Sequence, residues 1–114
     1  MKPRWTKPGN YVRGVPNKTE YRYISHLESL KLGGFILDYV FEPISLKLAF
    51  QTRYTPDFMV VFDDRIELHE IKGHWEDDAR VKWKVAAKMF PWFRFVAVTW
   101  KQKQWTFEYA DGGE

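Results

Sequence analysis

The sequence predicts one α/β domain whose mixed central sheet is flanked by helices. Three observations predict it. Apolar residues recur at helical spacing in two segments, short β-rich runs separate and follow those segments, and the chain has only 114 residues. That length supplies one core rather than two. Helix, strands, helix, strand, strand is the order of a layered α/β domain. Apolar residues make up 45% of the chain and aromatic residues 18%, enough to pack an interior and exclude disorder away from the ends.

Residues 1–16 are punctuated by Pro3, Pro8, Gly9 and Gly14 and read as an extended basic-aromatic arm before a domain over 17–110. Asn17 or Thr19 caps a helix running to about Leu32. With Asn17 as cap, Glu20 occupies the third helical position, as in a capping box. Tyr23, Leu27 and Leu30, joined by Ile24, form its apolar face. Gly33-Gly34 stops it, because glycine accepts the left-handed conformation.

Phe35 to Phe41 reads as a strand, followed by Pro43 and a second apolar stretch, Ile44 to Phe50. Pro56 is unsuited to a central strand, so Asp57 stands at a strand's beginning. Phe58 to Phe62 and Ile66 to Ile71 are strands joined by a polar turn. A two-residue turn on Asp63-Asp64 faces Phe62 with Arg65 and sets Asp57 opposite Glu70, whereas a three-residue turn slips that register. Whatever the turn, Glu70 and Lys72 share one face because side chains alternate. His69 then faces away from Glu70.

Gly73 ends this strand. Asp77 or Asp78 caps a second helix through Phe90, stopped by Pro91. Its expected apolar face is Val81, Val85 and Met89 with Ala86 and Phe90, rimmed by Lys82, Lys84 and Lys88. Phe93 to Thr99 and Trp105 to Tyr109 are strands joined through Lys101 to Gln104. Residues 111–114 form a loose tail.

Composition narrows the chemistry. With no cysteine, disulfides, thiolate catalysis and cysteine zinc sites are excluded. The three histidines form no HExxH pattern. No apolar run approaches the roughly 20 residues of a bilayer span, and no apolar stretch near the N-terminus resembles a signal peptide. A cytoplasmic protein with no membrane partner is expected. The net charge of +3 is concentrated: residues 1–25 carry six basic side chains against one acidic. Lys2, Arg4, Lys7, Arg13, Lys18 and Arg22 are interleaved with Trp5 and three tyrosines. Such an arm neutralises phosphates while its rings meet bases; as a plain alternative it is a solvated tail.

Asp57 is followed after twelve intervening residues by Glu70-Ile71-Lys72. Two carboxylates on adjacent strands repel each other, and burying them is costly. A divalent cation offsets both penalties. Magnesium favours hard oxygen ligands and keeps several waters, so Asp57, Glu70 and the backbone carbonyl of Ile71 form a suitable set. Lys72 orients the attacking water or stabilises phosphate charge. The competing account is an ordinary strand-end salt bridge, since three such letters recur in unrelated chains.

In the form Pro56-Asp57 and Glu70-Ile71-Lys72, the chain resembles the PD-(D/E)xK nuclease superfamily. More narrowly it is similar to a small phage-encoded family related to RecU-type Holliday-junction resolvases and the TnsA endonuclease. The similarity spans roughly Asn17 to Phe95. It includes residues 18–23, Leu27, Gly34, Ile36, Pro43, Tyr54-Thr55-Pro56-Asp57-Phe58 and Glu70-Ile71-Lys72-Gly73. A Lys-rich helix and Phe90-Pro91 follow.

The resemblance implies a restriction-endonuclease-like core and cleavage of DNA with Mg2+, or Mn2+ as substitute. It also implies a homodimer for branched or junction DNA and a role in phage recombination inside the host cell. It matches Glu20 to an acidic metal residue of the first helix, with Glu28 as fallback. Glu20's plainer role is the capping box. Lys82 and Lys84, or Lys88, are then helix residues near the scissile phosphate, or else solvated lysines. His74 and Trp75 touch DNA or merely form the loop. The expected function is a metal-dependent endonuclease, and the alternative is a catalytically inactive DNA-binding module of the same fold.

Overall fold

The computed structural model describes residues 14–112. Most of the expected arm, including Lys2, Arg4, Trp5, Lys7 and Arg13, and residues 113 and 114 of the tail lie outside this range. Helix α1 covers Lys18–Leu32 and β1 covers Asp38–Phe41. Strands β2 (Leu46–Ala49), β3 (Thr52–Tyr54), β4 (Phe58–Val61) and β5 (Ile66–Ile71) follow. Helix α2 (Asp77–Met89), β6 (Arg94–Lys101) and β7 (Gln104–Tyr109) complete the fold. Among the described residues, no helix is long and apolar enough to cross a membrane.

Asn17 caps α1 with a full capping box: the Glu20 N–H donates to Asn17 Oδ1 at 2.8 Å, and the Asn17 N–H donates to Glu20 Oε1 at 2.9 Å. Two otherwise unsatisfied donors are thereby paired. The helix stop differs in detail from expectation. Gly33 remains right-handed, and Gly34, at φ 81°, makes the left-handed turn that lets the Phe35 N–H reach the Leu30 carbonyl.

Five strands form a mixed sheet in the order β1-β4-β5-β6-β7. Among the described residues only β5 and β6 pair in parallel, and α2 is the crossover that such a pair requires. The Phe62 N–H bonds to the Arg65 carbonyl at 2.9 Å, so the β4–β5 turn holds two residues. Phe58 accordingly pairs with His69. One step beyond, Asp57 faces Glu70, the register expected from a two-residue turn.

Alternation along the strands builds two cores. Phe58, Val60, Val96 and Val98 meet Tyr23, Leu27 and Ile36 beneath α1. Leu68, Phe95 and Ala97 meet Trp83 and Ala86 of α2, together with Leu46 and Tyr54. Those last two belong to the β2–β3 hairpin, a separate two-stranded sheet.

Four expectations need correction. Helix α2 starts from Glu76, with no side-chain cap bond, rather than from Asp77 or Asp78 as cap. The strand expected from Phe35 begins only at Asp38, and Phe35 is exposed. The expected stretch to Phe50 ends as a strand at Ala49, and Thr52–Tyr54 return antiparallel to it. Helix α2 is rotated: it buries Ala79, Trp83 and Ala86, while Val81, Val85 and Met89 are exposed. Trp83 is the largest apolar side chain on the helix, and Ala79 and Ala86 beside it let its ring lie close against the opposing residues, so that face wins the contact with the sheet.

Candidate functional site

Asp57 and Glu70 are 2% exposed, deep burial for two carboxylates at a strand end. Each is held by identifiable donors. Strand β4 begins at Phe58, so the Ile71 N–H meets the Asp57 carboxylate, at 2.8 Å to Oδ2. The Asp57 backbone carbonyl accepts from the Glu42 N–H at 2.8 Å. Tyr54, at the end of β3, donates its hydroxyl to Glu70 Oε1 at 2.8 Å. Lys72 Nζ stands 3.4 Å from Glu70 Oε2, with its side chain only 13% exposed.

Tyr54 is the site residue that the sequence reading missed. Burial, then the charge of Glu70, pushes its hydroxyl well above the ordinary tyrosine value. It therefore stays protonated and serves as a fixed donor. The available signal was its place three residues before Asp57, in Tyr54-Thr55-Pro56-Asp57. A donor of this kind fixes a ligand oxygen, and losing such a partner typically costs about 10–100-fold in metal affinity or activity. If Glu70 holds a magnesium ion, Tyr54→Phe is expected to weaken its binding by about that factor, measured by calorimetric titration, while the protein stays folded.

Trp75 lies against Trp83, with ring centroids 5.2 Å apart. The Lys72 ammonium stands 5.4 Å from the Trp75 ring centroid, and the Arg80 guanidinium 5.3 Å from it. Trp75 therefore braces the lysine, where the sequence had offered DNA contact or a loop role. The first turn of α1 reaches the same strand end: Asn17, Thr19, Ile71, Lys72, Gly73 and Trp100 line a cleft of about 210 Å³. Arg22 lies over Trp100, 4.8 Å from its ring centroid. Lys18 is exposed on the first turn of α1. Lys84 and Lys88 are exposed along α2, and Lys82 is half-buried.

Glu20 is fully buried on α1, the helix of the opposite sheet face, and one of its oxygens closes the capping box. Among the described residues, no three His, Asp or Glu side chains gather closely enough to hold a metal ion. The fold thus brings together Asp57, Glu70, Ile71 and Lys72, and does not add Glu20 as a third converging carboxylate. Two carboxylates and a backbone carbonyl still fit magnesium, which completes its shell with water.

On the α1 face of β5 runs a second buried polar chain. The Tyr23 hydroxyl is 2.6 Å from His69 Nδ1, His69 Nε2 is 2.8 Å from Glu67 Oε1, and Arg65 Nε is 2.7 Å from Glu67 Oε2. His69 faces away from Glu70, as alternation requires. Its burial holds the imidazole below its ordinary value of 6.5, so it is neutral. Hydrogen bonds from His69 and Arg65 hold the Glu67 carboxyl low despite its burial. Nε2–H thus donates to Glu67, and Nδ1 accepts from Tyr23.

Tyr23→Phe leaves Nδ1 without that donor and is expected to cost about 1–3 kcal/mol in urea denaturation. The depressed His69 value also gives an acid sensitivity. Its stabilisation is complete above pH 6.5 and declines as pH falls toward the lower folded-state value. His26, also held low by burial and by His69, acts in the same direction. Melting temperature should fall on acidification through this range, and His69→Gln should flatten the dependence.

The fold and the strand-end cluster define the class: an α/β protein with a mixed five-stranded sheet carrying two buried carboxylates beside a lysine. Compared with protein-family models, curated proteins and solved structures, the chain matches none.

Proposed function

We propose that this protein is a metal-dependent DNA endonuclease with a restriction-endonuclease-like core, acting on phosphodiester bonds at branched or junction DNA. The observation that carries the reading is the pairing of buried Asp57 and Glu70 across adjacent strands, with Lys72 3.4 Å from Glu70. An apolar pair at those positions would serve stability better, since burying two like charges is costly.

When bound, a magnesium or manganese ion supplies Lewis acidity, making water a better nucleophile and offsetting charge that develops on the phosphate. Asp57, Glu70 and the Ile71 carbonyl would hold the ion. Tyr54 fixes the orientation of Glu70. Lys72 keeps an ammonium beside the site, where it orients water or stabilises the phosphate. The cleft reaching from Lys72 to Asn17 and Trp100 gives the backbone an approach, with Arg22 and Lys18 beside it and Lys82 and Lys84 along α2. A homodimer would offer two such sites to two strands.

The test is cleavage of linear, flap and four-way DNA with magnesium by the wild type, Asp57→Ala and Lys72→Ala. Cleavage by the wild type alone supports the reading; equal cleavage by all three ends it. One observation favours the second reading, an inactive DNA-binding module: Glu20 does not complete a three-carboxylate cluster. Manganese titration separates the two, because the module takes up no ion at Asp57 and Glu70.

A further inference from the structure

Helix α2 presents to solvent a stripe made of Asp77, Val81, Val85, Lys88 and Met89. Val81 is 59% exposed, Val85 40% and Met89 43%. Val81 and Val85 lie on the far side of the helix from buried Ala79, Trp83 and Ala86, with Met89 at the flank. The stripe is apolar at its centre and oppositely charged at its ends. Glu76, Asp77 and Asp78 stand exposed at the start, and Lys84 and Lys88 stand exposed toward the finish.

This pattern is self-complementary in one orientation. A two-fold axis through the middle of the helix, near position 83, sets Val81 against Val85 of a second copy. The same axis sets Asp77 against Lys88 and Asp78 beside Met89. A parallel arrangement would instead place acid on acid and lysine on lysine. Opposed helix dipoles add to the preference. Trp92, 76% exposed just beyond the helix, would meet the loop preceding α2 of the other copy.

We propose that a second copy of this chain docks on α2, antiparallel, in an isologous contact centred on Val81 and Val85. A helix of 13 residues spans about 20 Å. Three apolar side chains and a tryptophan cover less than the roughly 800 Å² per partner of a standard interface. The dimer is therefore weak, concentration-dependent and weakened by salt. This inference names a surface for the homodimer of the proposed nuclease but uses no residue of the metal site, so dimerisation and cleavage are tested separately.

The experiment is sedimentation equilibrium of the full chain over a concentration series, at low and high salt, with melting curves as the folding control. The wild type should dimerise, more weakly at high salt. Val85→Asp should weaken the dimer about tenfold or more, since it buries an unpaired charge. Asp77→Lys and Lys88→Glu should each weaken it several-fold. The double variant should recover the wild-type dimer, because it restores both reciprocal ion pairs while opposing the helix dipole at both ends. A chain that stays monomeric throughout overturns the proposal. So does a dimer indifferent to Val85→Asp, or one that the double variant fails to restore.

Discussion

Asp57→Asn is expected to lower DNA cleavage about 1000-fold or more. The size follows from the several kcal/mol of transition-state stabilisation that a Lewis-acid metal supplies, at 1.36 kcal/mol per factor of ten. Asparagine keeps an oxygen that can accept from the Ile71 N–H, so the strand pairing that fixes the site is preserved. What disappears is one of two negative charges facing each other at 2% exposure. Without metal, the variant should melt at the same temperature as the wild type or higher, because the repulsion with Glu70 is relieved. With magnesium, the wild type should gain melting temperature in proportion to its affinity, and the variant should not. Loss of activity with a preserved magnesium shift would place the ion elsewhere. The cleavage rate and the melting shift together test the metal reading, not only the importance of the residue.

Lys72→Met should separate catalysis from binding. Methionine keeps an unbranched chain of similar length against Trp75 but removes the ammonium that stands 3.4 Å from Glu70. A preorganised cation of this kind contributes about 10²–10³ in rate. Single-turnover cleavage should fall by that factor while DNA is still bound. Magnesium affinity should hold or rise, because a positive charge beside the ion is gone. Metal-free protein should melt lower, since buried Glu70 loses a counter-charge. Magnesium should restore part of that loss. Lys72→Arg is not expected to rescue activity, because the broad, planar guanidinium does not reproduce the position of a compact ammonium. Unchanged single-turnover rates in Lys72→Met would remove the lysine from the chemistry.

Much of the site's framework follows from local rules. The Asn17–Glu20 capping box is a spacing rule, and it is present with both hydrogen bonds. The two-residue turn at Asp63-Asp64 follows from short-range geometry, and it carries the facing of Asp57 and Glu70 with it. The period of the strand places His69 on the far face from Glu70, where its ring nitrogens meet Tyr23 and Glu67. Each of these is decided within a few residues or by one hairpin.

The face that α2 buries was decided at longer range. Val81, Val85 and Met89 carry the helical period as well as Ala79, Trp83 and Ala86 do. The choice between them depends on whether the tryptophan finds Leu68, Phe95 and Ala97 opposite it. Tyr54 belongs to the same category: its hydroxyl reaches Glu70 only because the β2–β3 hairpin folds over that sheet face. The capping role of Glu20 was legible beside its expected metal role, but the tertiary arrangement decided that it does not converge with Asp57 and Glu70. Sequence alone determined the two helices, most of the strands and their order, and it narrowed the register of the central hairpin to two turn lengths, because backbone periodicity and turn geometry act between near neighbours. Only the tertiary structure determined which helix face is buried and which polar groups meet, because those outcomes depend on surfaces brought together from distant parts of the chain.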